Sequence, residues 1–171
     1  MKIAFRLAVL LILVAQLTGC VGYRLGSMLP PDIKSVYVPT FVNKTDEPFI
    51  ESDTTSAVID ELQKDGSLEV VATDGEADAI LKVSIIGFKL SPLAFDHTRK
   101  TSASEYRLTL TASLVMLRRT TNEVLVENPR LQGEATFVVS GDLTSSKRRG
   151  LPLAAADLAH DIVEALVESW K

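Results

Sequence analysis

Cysteine and histidine are nearly missing: Cys20, His97 and His160 are the only ones among 171 residues. With no second cysteine an intramolecular disulfide is excluded, and a zinc site lacks the several ligands it needs. No glycine-rich phosphate loop, GxSxG elbow or HExxH pair occurs, since Gly19, Gly22 and Gly26 have the wrong spacing for a phosphate cradle. His97 beside Asp96 and His160 beside Asp161 read as surface pairs on polar segments rather than as a metal or acid–base site. These absences argue against an enzyme and leave no catalytic residue, metal site or cofactor to assign. An excess of positive charge is also lacking: 18 basic residues face 22 acidic ones, for a net charge of −4. A general nucleic-acid binder is usually basic, so nothing points to one. Aromatic residues are scarce, and neither an internal repeat nor a low-complexity tract is present. Leu7 to Leu17 is an apolar run of about eleven residues, short of the ~20 that a bilayer-spanning helix needs.

What is present at the N-terminus has the layout of a secretory signal peptide. Lys2 and Arg6 supply positive charge, the apolar run follows, and Thr18-Gly19 lead into Cys20. Leu17-Thr18-Gly19-Cys20 resembles the bacterial lipobox, in which cleavage precedes the cysteine and its thiol and new amino group are acylated. Two or more acyl chains hold a protein stably at a membrane where one does not. In the sorting scheme of Gram-negative lipoproteins, aspartate after the cysteine retains the protein at the inner membrane. Val21 stands there, which favours the outer membrane. The expected organisation is a signal peptide over 1–19, a lipidated Cys20 with a tether over 20–32 rich in Gly and Pro, and a single domain over 33–171. Taking Lys2 and Arg6 from the basic count leaves the processed chain at −6.

Within the domain, Ile33–Pro39 reads as a strand that proline ends, and Thr40–Phe49 as a polar loop. Ile50, Val58, Ile59 and Leu62 then share one side of a helix that Asp65-Gly66 closes, with glycine at the left-handed cap. Ser67–Ala72 is a second strand. Asp78–Leu90 is a longer one that changes phase: Leu81, Val83 and Ile85 share a face, whereas Ile86, Phe88 and Leu90 have the opposite parity. Adjacent Ile85-Ile86 before Gly87 predicts a β-bulge. Glu105–Met116 alternates cleanly, as in an antiparallel sheet with one covered face. Asn122 supplies positive φ in a hairpin loop, and the return strand breaks phase at Pro129. Ser140–Gly150 reads as a polar loop. Pro152 is expected to open a last helix whose stripe is Leu158, Ala159, Ile162, Val163, Leu166 and Trp170. The expected class is α+β: a mixed, largely antiparallel sheet of four to five strands with two helices on one face.

Two basic clusters stand out in an acidic chain, Arg99-Lys100 and Lys147-Arg148-Arg149. They are either solvated loops or a pair of cationic loops for an anionic ligand such as phosphate. The lipobox, "GYRL" after Cys20, "VYVPTFVNKTDEPFIE" over 36–51, "ADAIL" over 77–81, "EYRL" over 105–108 and the helix ending near Trp170 occur in this order. As a set they resemble the LptE family of outer-membrane lipoproteins. The resemblance implies a lipid-anchored domain that plugs and helps assemble a large LptD-like β-barrel translocon and contacts lipopolysaccharide. It also implies head-group contacts at Arg99, Lys100, Lys147 and Arg148, carried over by position and charge. The Val36–Thr45 stretch is similar as well to other periplasmic lipoproteins, among them secretion-pore components and peptidoglycan-synthase activators. Residues 37–51 are a contact surface on the family resemblance. On their own chemistry, Phe41 and Phe49 fold the loop back on the core while Asn43 and Thr45 cap it.

Overall fold

The computed structural model describes residues 29–95 and 103–167. The chain runs β1 (Ser35–Tyr37), β2 (Val42–Asn43), α1 (Ile50–Asp65), β3 (Glu69–Val71), a 3-10 turn (Asp74–Glu76), β4 (Ala79–Phe95), β5 (Ala103–Arg118), β6 (Val124–Val138) and α2 (Leu143–Val167). The strands form one mixed sheet ordered β3-β1-β4-β5-β6, with β2 also on β4. The class is α+β, as expected, with one strand more than the sequence suggested. The extra strand arises because β1 and β2 lie in succession along the same edge of β4, Val36 beside Ala79 and Val42 beside Ser84. Pro39 falls between them and interrupts what would otherwise be one strand.

The long strands follow their alternation. Leu108, Leu110, Ala112, Leu114 and Met116 of β5 are all buried, and each turns toward the helices. On β4 the register slips between Ile85, opposite Ala112, and Gly87, opposite Thr111. Ile86 is the extra residue, and beyond it Phe88 and Leu90 return to the helix side opposite Leu110 and Leu108. A second slip on β6, between Leu131 and Asn128, brackets Pro129. Asn122 turns the β5–β6 hairpin at φ 56°, and Gly66 closes α1 at φ 71° by donating to the Leu62 carbonyl at 3.0 Å.

Both helices cover one face of the sheet and share its core, Val58 and Leu62 from α1 with Leu158, Ile162 and Leu166 from α2. Thr54 and Thr55 join them although polar. Their hydroxyls donate to the Ile50 and Glu51 carbonyls, each at 2.6 Å, which leaves the methyl groups to pack. Ile59, expected on the stripe, is only partly buried. Trp170 lies outside the described residues. α2 rests on β6 at Gly133, where a Cβ would lie 2.3 Å from the Leu158 backbone nitrogen and 2.4 Å from the Ala154 carbonyl oxygen. Only glycine admits helix backbone that close. The outer edge of β6 is partly covered too, since Asp157 of α2 accepts from the Glu134 N–H at 2.8 Å.

Besides β2, which falls within the stretch read as a polar loop, the last helix differs from its sequence reading. α2 begins at Leu143, and Pro152 lies inside it, so Lys147, Arg148 and Arg149 are helical rather than on a loop. Asp142 explains the early start. Its carboxylate accepts from the Ser145 N–H at 2.8 Å and its carbonyl from the Ser146 N–H at 3.2 Å, which is N-cap geometry. That N–H of Ser145 holds the Asp142 carboxyl below its ordinary range. Interior proline costs about 3 kcal/mol. Burial of the Leu151 side chain in the added turns offsets part of it.

Candidate functional site

The conspicuous motif of residues 36–51 builds one wall of a groove. Asn43 organises it. Its Oδ1 accepts from the Thr45 N–H at 2.9 Å and the Thr45 hydroxyl at 2.8 Å. Its amide donates to the Glu47 carbonyl at 2.7 Å and to Glu51 Oε2 at 3.0 Å. The segment is thereby closed into a tight polar turn. Behind it Phe41 is buried and its N–H donates to Thr55 Oγ1 at 3.0 Å, so this aromatic folds back as expected. Phe49 does not. It stands 77% exposed at φ 67°, a left-handed conformation that is rare for a bulky residue.

Across the groove lies the first part of α2. Lys147 Nζ meets Glu47 Oε1 at 2.6 Å, with the two side chains only 23% and 20% exposed, and stands 5.7 Å from the centre of the Phe88 ring. Arg148 is exposed and, among the described residues, its side chain forms neither an ion pair nor a hydrogen bond. Arg149 is used structurally, donating to the Ser140 carbonyl at 3.3 Å and to Ser146 Oγ at 3.0 Å. Phe49, Phe88, Leu151, Lys147 and Arg148 line a cavity of about 460 Å³ together with the carboxylates of Glu47 and Asp53. Apolar walls beside an unpaired guanidinium suit an amphiphile with an anionic group.

The groove opens just past the bulge of β4, where Phe88 stands opposite Leu110 near mid-strand. Phe95 and Val138, 54% and 66% exposed, lie at the tips of β4 and β6, and Leu93 and Leu143 near them are exposed as well. Of the four basic residues that the family resemblance carries to the head group, the structure brings Lys147 and Arg148 to the groove. Arg99, Lys100, Cys20 and His97 lie outside the described residues. His160 sits on the surface of α2 with Nδ1 3.4 Å from Glu61 Oε1. Among the described residues, no cluster of histidine, cysteine or carboxylates is arranged to hold a metal, and no helix is long and apolar enough to cross a membrane.

At the other end, Asp78 of the "ADAIL" stretch ties β1 to β4. Its Oδ2 accepts from the Lys34 N–H at 3.0 Å, the Ser35 N–H at 3.1 Å and the Ser35 hydroxyl at 3.0 Å. The Lys34 N–H foremost, and then Ser35, hold its carboxyl below the ordinary range against the opposing effect of burial. Nearby Arg118 bonds both Asp32 and Glu123, while Leu29 packs on the core. The last residues before the domain are therefore fastened to it.

No curated protein matches the chain in sequence. The model of the LptE family, described as lipopolysaccharide-assembly, matches residues 33–168. Similar solved structures include protein XCC0632 from Xanthomonas campestris, 11% identical over 85% of this chain and 91% of that one, with a TM-score of 0.57. A minor lipoprotein from Acinetobacter baumannii is 12% identical over 80% and 94%, with a TM-score of 0.52. A single-substitution variant of the PelC dodecamer from Paraburkholderia phytofirmans is 16% identical over 83% and 95%, with a TM-score of 0.51. At such identities the likeness extends to the fold alone.

Proposed function

Since the chain belongs to the LptE family of lipopolysaccharide-assembly proteins, we propose that it serves as the lipoprotein subunit of an outer-membrane translocon. In this reading Cys20 carries the lipid anchor. The domain lies on the periplasmic side or within the lumen of a large LptD-like β-barrel, which it helps to assemble. Lys147 and Arg148, with Arg99 and Lys100, meet the phosphates of lipopolysaccharide. The observation that carries the reading is the groove, where the unpaired Arg148 guanidinium stands beside Phe49, Phe88 and Leu151. A lipid with phosphates next to acyl chains presents the complementary surface.

Two measurements test it. Lipopolysaccharide binding to a folded variant with Arg99, Lys100, Lys147 and Arg148 changed to Gln is expected to weaken by about tenfold or more, the scale of lost charge-assisted hydrogen bonds. Unchanged affinity would remove these residues from the site. A tagged chain drawn from native membranes in detergent should bring a stoichiometric large β-barrel carrying lipopolysaccharide, and the unlipidated Cys20→Ala form should lose it. Recovery of a secretion ring or a peptidoglycan synthase instead would favour the other envelope-lipoprotein reading.

A further inference from the structure

The ion pair between Glu47 and Lys147 joins residues 100 positions apart, and it occupies one of the two cations that line the groove. We infer that Glu47 sets an affinity threshold at the groove, a built-in carboxylate competitor that weakens the hold of Lys147 on every free anion by the same factor, so that a phosphate group displaces it at concentrations where a weaker anion does not. The inference rests on Lys147 being a head-group contact.

The geometry supplies the competition. Lys147 reaches Glu47 at 2.6 Å beside the Phe88 ring, and both charged side chains are about four-fifths covered. Glu47 does not drift, because Asn43 grips its carbonyl at 2.7 Å and its own N–H donates to Thr45 Oγ1 at 3.3 Å. A carboxylate held on the same chain acts at high effective concentration. A free carboxylate offers the ammonium nothing that Glu47 does not, so it displaces it only at higher concentration. A phosphate group carries up to two charges and three acceptor oxygens, enough to engage Lys147 and the neighbouring Arg148 together. Exchange then needs only a rotation of the Glu47 side chain, while the Asn43 turn keeps the loop and Phe49 in place. On this view the Asn-x-Thr of residues 43–45 positions Glu47.

The test follows the ¹⁵N-labelled Lys147 ammonium by NMR in the full chain in detergent, with Lys147→Gln to assign the signal. Inorganic phosphate and acetate are titrated at equal ionic strength. In the wild type, phosphate should move the signal at concentrations where acetate does not. In Glu47→Gln, which keeps the shape and an acceptor, both should move it, and each should bind about fivefold more tightly, the scale of a partly exposed ion pair. Glu47→Asp, with its charge drawn back by one methylene, should fall between. Equal responses to both anions in the wild type, no response to either, or an unchanged phosphate affinity in Glu47→Gln would each overturn the inference. This readout contains no lipopolysaccharide. Failure of the head-group reading shows instead as lipopolysaccharide binding that ignores Lys147 and Arg148.

Discussion

At the hairpin end of the sheet, Arg118 is held by Asp32 and Glu123, Arg119 donates to the Ala77 carbonyl at 2.7 Å, and Asp78 gathers three donors from Lys34 and Ser35. Past the bulge and toward the opposite end, Phe49, Leu93, Phe95, Val138 and Leu143 are exposed, and the Arg148 side chain stands without a partner among the described residues. The two ends share the same strands, and β4 alone spans 17 residues, roughly 55 Å at the usual rise. One end closes its polar groups on one another and fastens the segment that leads toward Cys20. The other keeps apolar and cationic groups available. On the proposed function, stability and recognition are then separable along the length of the sheet, and substitutions can be chosen to act on one without the other.

The largest expected effect falls on the frame that both ends share. Gly133→Ala places a methyl group where backbone atoms of Ala154 and Leu158 stand at 2.4 Å or less, and backbone cannot rotate aside as a side-chain tip can. Separating α2 from β6 should cost about 3 kcal/mol, read as a lower denaturant midpoint. The N-terminal turns of α2 carry Lys147, so lipopolysaccharide binding should weaken with it. A Gly133→Ala protein with unchanged stability would mean that the helix does not rest on this strand.

A smaller effect, confined to the hairpin end, is expected of Asp78→Ala. It takes the acceptor from the exposed Lys34 N–H and the part-buried Ser35 N–H, while the Ser35 hydroxyl keeps the Glu76 carbonyl at 3.4 Å, for a loss of about 1 kcal/mol at neutral pH, with lipopolysaccharide binding unchanged. The dependence on pH has a definite sign. The folded carboxyl titrates below the ordinary aspartate value of 3.8. Its contribution is therefore complete above that value and is lost as the pH falls from 3.8 toward the lower folded value. The stability gap between wild type and Asp78→Ala should shrink over that acid range, as chemical denaturation at successive pH values will show. A constant gap would place the cost in packing rather than in the carboxylate.

Much of this frame was legible in the residues. The doublet Ile85-Ile86 announced its bulge because a period of two cannot absorb an extra residue silently, and Gly66 and Asn122 announced positive φ. Pro152 misled because proline is a common first-turn residue. The competing signal, Asp142 three places before Ser145, was a cap ten residues upstream. The site was less legible for two reasons. Charge picked out Lys147 and Arg148, but pairing with Glu47 is a tertiary event that no local pattern encodes. The exposure of Phe49 was hidden by its residue type, since an aromatic is normally assigned to a core and seldom to a left-handed position.

Phe49 also sharpens the contrast between the ends, because there the smallest effect on stability is expected to accompany a functional loss. Its φ of 67° costs an L-residue with a bulky side chain about 1–2 kcal/mol, whereas glycine adopts it freely. The ring is mostly exposed, so little apolar burial disappears with it. Phe49→Gly should leave the denaturant midpoint unchanged or raise it slightly, the relief of strain being offset in part by the greater freedom of glycine in the unfolded chain. Lipopolysaccharide binding should fall with the loss of an apolar wall beside Arg148. A variant both more stable and weaker in binding would mean that the strained aromatic is kept for contact. A clear loss of stability would instead make Phe49 part of the scaffold, and the open end would then begin beyond the groove.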